Sequence, residues 1–157
     1  MSDLLVKLYG LPDDRRWQDQ LKKEDIFLRN GMACEKHQVV NWVQETFGKL
    51  WASECDIAFS RQPVSCYLAT KKGTLVGFAC YDSSMKNFFG PVGVAEGYRG
   101  KGVGTGLLLK CLHAMAAGGY AYAIIGDADS PTFYEKAVNA SVIPDSSPGM
   151  YSDRLKS

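Results

Sequence analysis

A chain of 157 residues with 46% hydrophobic and 22% charged residues is sized and composed for one folded domain with a core of its own, residues 1–157. A net charge of +1 supplies no basic field for nucleic acid, and no apolar run approaches membrane-spanning length. Five cysteines without a Cys-x-x-Cys pair, and two histidines without zinc-site spacing, point to reduced thiols and away from a metal centre. In chain order, Leu4 to Tyr9 is an apolar run that predicts a first strand, broken by Gly10-Leu11-Pro12. Asp13 and Asp14 open a helix running to about Lys23, acidic residues suiting a first turn. Ile26 to Arg29 is ambiguous, and Asn30-Gly31 is a turn signal. Val39, Val40, Val43 and Phe47 recur at helical spacing from about Glu35. Gly48 interrupts, and a further helix covers Leu50 to Phe59. His37 reads as a surface residue there, and Trp42 and Trp51 as core.

From Ser65 the pattern is strand, turn, strand: Cys66 to Thr70, Lys71-Lys72-Gly73, then Thr74 to Tyr81. Asp82-Ser83-Ser84 turns the chain into the next strand, Phe88 to Val94. Gly90, Pro91 and Gly93 are poor residues for a sheet interior, so this strand is expected to part from a neighbour and leave backbone groups free. Gly102 to Ala117 is the strongest helix, its stripe of Leu107, Leu108, Cys111, Leu112 and Met115 ended by Gly118-Gly119. Tyr120 to Gly126 is apolar on both faces and hence central. Ser130 and Pro131 start a short helix that Asn139 closes in the left-handed conformation. Ala140 to Ile143 and Met150 to Leu155 supply two final strands.

The chemistry concentrates in the stretch between Phe88 and Leu109, where an apolar strand enters a basic glycine turn and an apolar helix leaves it. Such turns hold phosphates: glycine lets the backbone come close, N–H groups converge, and the helix dipole faces the anion. The Walker pattern fails, because Gly100-Lys101 precedes Gly102 and position 95 is Ala95. The dinucleotide fingerprint fails too, its third glycine falling on Thr105 or Leu107. What fits is Arg-x-x-Gly-x-Gly, filled by Arg99, Gly102 and Gly104, with Lys101 adding charge. A second motif, Phe133-Tyr134-Glu135-Lys136, offers a tyrosine whose hydroxyl can protonate a leaving thiolate.

Together these motifs resemble the GNAT superfamily of N-acetyltransferases, most clearly over residues 65–155. The resemblance implies an α/β fold with a central mixed sheet flanked by helices and splayed between its fourth and fifth strands. It implies acetyl-CoA as co-substrate, with pantetheine along Val92, Gly93 and Val94, pyrophosphate on Arg99, Gly100, Lys101, Gly102, Val103, Gly104 and Thr105, and Phe133 beside the cofactor. Tyr134 matches the tyrosine that approaches the thioester sulfur. The expected reaction is acetyl transfer to a primary amine of a small molecule, by direct attack in a ternary complex. A non-catalytic acyl-CoA-binding module and a peptide or protein acetyltransferase are the rival readings. The chain departs from the family pattern at Val138, where glycine is usual and Asn139 must end the helix, and at Asp129-Ser130, which replace an Asn. Glu96, Asp127 and Asp129 lie near the expected cleft without any one standing out as general base, and a water chain serves equally. Trp42, Trp51, Tyr81 and Phe88 are candidates for the acceptor pocket. Met1-Ser2-Asp3 lacks the features of a secretory signal, so a cytoplasmic location is expected. Oligomeric state is not legible, and a homodimer is compatible with the sequence.

Overall fold

A computed structural model of the chain describes residues 1–156; Ser157, the last residue of the expected domain, lies outside them. Among the described residues seven strands form one mixed sheet: β1 (Leu4–Lys7), β2 (Ile26–Asn30), β3 (Cys66–Lys71), β4 (Thr74–Tyr81), β5 (Phe88–Val94), β6 (Tyr122–Ile125) and β7 (Ser141–Val142). Five helices flank it: α1 (Arg15–Lys22), α2 (Lys36–Phe47), α3 (Lys49–Ala58), α4 (Val103–Ala117) and α5 (Pro131–Val138). The spatial order is β2-β3-β4-β5-β6-β1-β7, antiparallel except for the β5–β6 pair.

Two apolar cores form on the sheet. The larger gathers the buried stripe of α4 with Leu4, Val6, Phe89, Ile125 and Tyr134. The smaller lies under α2 and α3 and includes Val43, Phe59 and Phe78. Cys55, Cys66 and Cys80 meet in it with sulfur atoms within 4.8 Å of one another, and Cys111 is buried in the larger core. These four pack as small apolar groups, while Cys34 is exposed.

The expected sheet and its opening are present. The segments read as fourth and fifth strands are β5 and β6 once Ile26–Asn30 is counted, a strand that the ambiguous local pattern left open. Asn30-Gly31 does not turn the chain. Asn30 Nδ2 donates to Val64 O at 2.8 Å and Gly31 N to Cys66 O at 2.8 Å, so the ladder with β3 continues through it. β5 and β6 pair only through Phe88–Ile124 and Phe89–Ile125, then separate beyond Gly90 and Pro91, and the β4–β5 register shifts opposite the same place.

Three expectations need correction. Met150–Leu155 is not a strand: Gly149, at φ +58°, begins a single 3-10 turn, and β1 already occupies the slot between β6 and β7. β1 itself is shorter than Leu4–Tyr9, because Leu8–Gly10 coils into a 3-10 turn. Ser130 stands at the N-cap of α5 but its side chain makes no capping bond; Pro131 at the first turn and Asn139 at φ 56°, ψ 40° bound that helix as expected.

Candidate active site

The N-cap of α4 is Gly102, which sits at φ +90° and supplies no side-chain capping bond. Its carbonyl accepts the first intrahelical hydrogen bond, from Gly106 N at 2.9 Å, so the amides of Val103, Gly104 and Thr105 have no intrahelical acceptor and face outward at the positive end of a 15-residue helix. A cavity of about 420 Å³ opens over them, lined by Arg99, Gly100, Gly102, Val103, Gly104 and Thr105 together with Val94, Tyr98, Phe133 and Trp17. Of the two cations in the motif, Arg99 lines the cavity and donates from Nε to Val94 O at 3.2 Å. Lys101 turns aside: its ammonium lies 2.8 Å from Glu24 Oε1.

Trp17, on α1, carries no motif and is invisible to pattern reading, yet it forms the outer wall. A Cβ built on Gly102 would lie 2.8 Å from Trp17 Cε3. The glycine is therefore required twice, by its left-handed conformation and by the ring against it.

β5 links this cavity to a second one. Ala95 N donates to Val76 O at 2.8 Å. In that register, strand alternation turns the amides of Val92 and Val94 away from β4, toward the side that β6 has vacated. Val94 lines the first cavity and Val92 the second, a space of about 530 Å³. α5 does the same from the opposite wall: Phe133, half exposed, lines the first cavity and buried Tyr134 the second. Gly93 lines neither. It receives the Phe47 ring, which leaves no room for a Cβ there, and Phe47 is hemmed in by Trp42, Trp51 and Phe78.

The second cavity is rich in carboxylates. Glu54 on α3 accepts a hydrogen bond from Ser84 Oγ; Asp127 and Asp129 follow β6, and Trp51, Tyr151 and Arg154 complete much of the wall. Burial, with Asp129 nearby, pushes the Tyr134 hydroxyl up to about 12. Burial, helped by Glu54, Asp3 and Asp127, does the same for Tyr151, also to about 12. Both hydroxyls are thus protonated at neutral pH, and the Tyr134 hydroxyl makes no hydrogen bond to any described residue. Of the aromatic candidates for this pocket, Trp51 lines it. Trp42 instead packs edge-on to Phe47 and Phe78, and Phe88 lies against Gly126. Glu96 lines neither cavity, whereas Glu54, missed in the sequence because an acid in an amphipathic helix reads as solvated, stands in the wall.

The arrangement can seat an extended ligand: an anion at the start of α4, amide groups along β5, and a reactive end beside Tyr134. The family model described as acetyltransferase (GNAT) family matches residues 36–138. Among solved structures, the glucosamine N-acetyltransferase region of a fungal multi-domain GH3 β-N-acetylglucosaminidase aligns with TM-score 0.72 at 17% identity, over 90% of this chain and 19% of that one. A GCN5-related N-acetyltransferase from Sphaerobacter thermophilus aligns with TM-score 0.66 at 19% identity, over 90% of this chain and 48% of that one. The chain thus spans about a fifth and about half of their lengths, and likeness at this identity is one of fold. No curated protein matches the chain by sequence.

Proposed function

Since the chain belongs to the GNAT family of acetyltransferases, we propose that it transfers an acetyl group from acetyl-CoA to the primary amine of a small molecule, by direct attack with both substrates bound. The observation that carries this reading is that β5 and α5 each wall both cavities, the one at the uncapped start of α4 through Val94 and Phe133 and the other through Val92 and Tyr134.

When bound, acetyl-CoA supplies an activated acyl group on a thiol leaving group. The chain's residues do the rest. The amides of residues 103–105, with Arg99, bind the pyrophosphate. The free amides of Val92 and Val94 bond the pantetheine and polarise the thioester carbonyl. Phe133 covers the cofactor from the α5 side. Tyr134, kept neutral by its burial, protonates the departing thiolate. An amine reaches the enzyme as an ammonium ion. Glu54, Asp127 and Asp129 attract it into the second cavity, where a carboxylate takes one proton through water to free the attacking amine; the second proton, lost as the tetrahedral adduct expels the thiolate, restores the Tyr134 hydroxyl.

Calorimetry with coenzyme A tests the donor half: micromolar binding is expected, lost in Gly102→Trp, and absence of binding to the native chain overturns the reading. A thiol-release screen over an amine library tests the acceptor half. Amino sugars lead that panel, given Trp51 as a flat wall, the carboxylates as hydroxyl acceptors, and the glucosamine N-acetyltransferase region among the structural likenesses. Binding without thiol release across the panel would instead leave a cofactor-binding module.

A further inference from the structure

Two of the aromatic walls of the phosphate-end cavity each carry a cation. The guanidinium carbon of Arg16 lies 4.7 Å from the centre of the Trp17 ring, and the Lys71 ammonium lies 5.9 Å from the centre of the Tyr98 ring. Neither cation has a carboxylate partner among the described residues, whereas Arg15 is paired with Asp13, Lys101 with Glu24 and Lys110 with Asp14. We propose that Arg16 and Lys71 form an anion-reading rim outside the glycine turn, and that this rim recognises the phosphomonoester on the ribose of coenzyme A.

The proposal rests on the acetyl-CoA reading and adds a specificity that the glycine turn lacks. The turn offers the first amides of α4 and the free end of Arg99, a set that suits one pyrophosphate. Lys101, the other cation of the motif, is held by Glu24. A further phosphate dianion therefore needs charge from outside the motif. A guanidinium laid on an indole keeps its N–H edge free, is weakly hydrated, and can meet a phosphate in bidentate fashion. Its perch is fixed relative to α4, because Trp17 packs against Gly102 too closely to admit a Cβ. Lys71, at the end of β3 and above Tyr98, brings a second charge from the other wall.

The experiment compares coenzyme A with 3′-dephospho-coenzyme A by calorimetry, on the full chain and on Arg16→Gln, Lys71→Gln, the double variant and Lys22→Gln. The native chain should bind coenzyme A about tenfold or more tightly than the dephospho form, as expected for charge-assisted phosphate contacts. Each single variant at the rim should reduce that ratio, and the double variant should bring it to within about twofold of one. Lys22→Gln, on α1 but over neither ring and outside the cavity lining, should leave the ratio as in the native chain. An equal affinity of the native chain for both ligands overturns the rim and leaves the acetyl-CoA reading standing. So does a ratio that survives in the double variant, or one that Lys22→Gln lowers as far, which would mark a diffuse field. Failure of the native chain to bind either ligand removes the acetyl-CoA reading and the rim with it.

Discussion

Gly102 and Gly100 separate two effects that glycine motifs usually confound. Both lie in the left-handed region, at φ +90° and +80°, but a Cβ at 100 meets nothing within 4 Å while one at 102 meets Trp17. Gly100→Ala should cost about 1–2 kcal/mol of stability, the penalty of that conformation alone. Gly102→Ala should cost more and should also displace Trp17, read as a lower thermal midpoint and a shifted indole fluorescence. Tyr134 is the other residue whose role is open to a clean substitution. Because its hydroxyl has no described partner, Tyr134→Phe should change stability by less than about 1 kcal/mol and barely move coenzyme A affinity. If the hydroxyl protonates the leaving group, acetyl transfer should slow by roughly 10²–10⁴-fold, and the loss should shrink for donors with a more acidic thiol. Its titration adds a pH test. In the unfolded chain Tyr134 gives up its proton near the ordinary value of 10.0, while in the folded chain it holds the proton to about 12. That contribution to stability is complete below pH 10 and is lost as pH rises through 12. The fall in thermal midpoint between those values should be shallower in the Phe variant than in the native chain.

Elements were legible where a local pattern had to serve its own burial. α4 reads directly from Leu107, Leu108, Cys111, Leu112 and Met115 because that stripe is the floor of the larger core, and all five are at most 1% exposed. The opening beside β5 reads from Gly90 and Pro91, where the pairing with β6 ends and the register with β4 shifts. Elements set by distant partners were not legible. Asn30-Gly31 looks like a turn in isolation, yet Asn30 ends β2 and both residues are held beside β3 by bonds to Val64 and Cys66. Met150–Leu155 looks extended, yet Gly149 at φ +58° opens a 3-10 turn there and the sheet ends at β7. The site divides likewise. The glycine turn and Tyr134 lie in contiguous motifs, whereas Trp17, Glu54 and the pairing of Lys101 with Glu24 arise only when α1 and α3 dock. Docking also governs the thiols. The cysteines of α3, β3, β4 and α4 are sealed in the two cores, and burial raises the thiols of Cys80 and Cys111 well above their ordinary range. A thiol reagent at neutral pH should therefore titrate one rapid equivalent per native chain, at Cys34, and five in denaturant; a second rapid equivalent would mean that α3 lifts from the sheet.

At the scale of the whole molecule, β1 is the strand on which one half of the sheet depends. It pairs with β6 along Leu4–Ile125 through Lys7–Tyr122, and with β7 through Leu4–Val142 and Leu5–Ser141. Leu4 and Val6 are wholly buried. Leu4→Ala should cost about 2–5 kcal/mol, seen as a lower urea midpoint, with the β5–β6 opening and hence coenzyme A binding weakened alongside. The same placement has a consequence in time. During synthesis Leu4–Lys7 leaves the ribosome before either of its sheet neighbours exists, and its first partner follows about 115 residues later. At about 5–20 residues per second, that apolar strand waits on the order of ten seconds with both edges unpaired. The half of the sheet bearing β2, β3 and β4 can assemble in the meantime, so β1 joins the sheet only after a long stretch of later chain has been made.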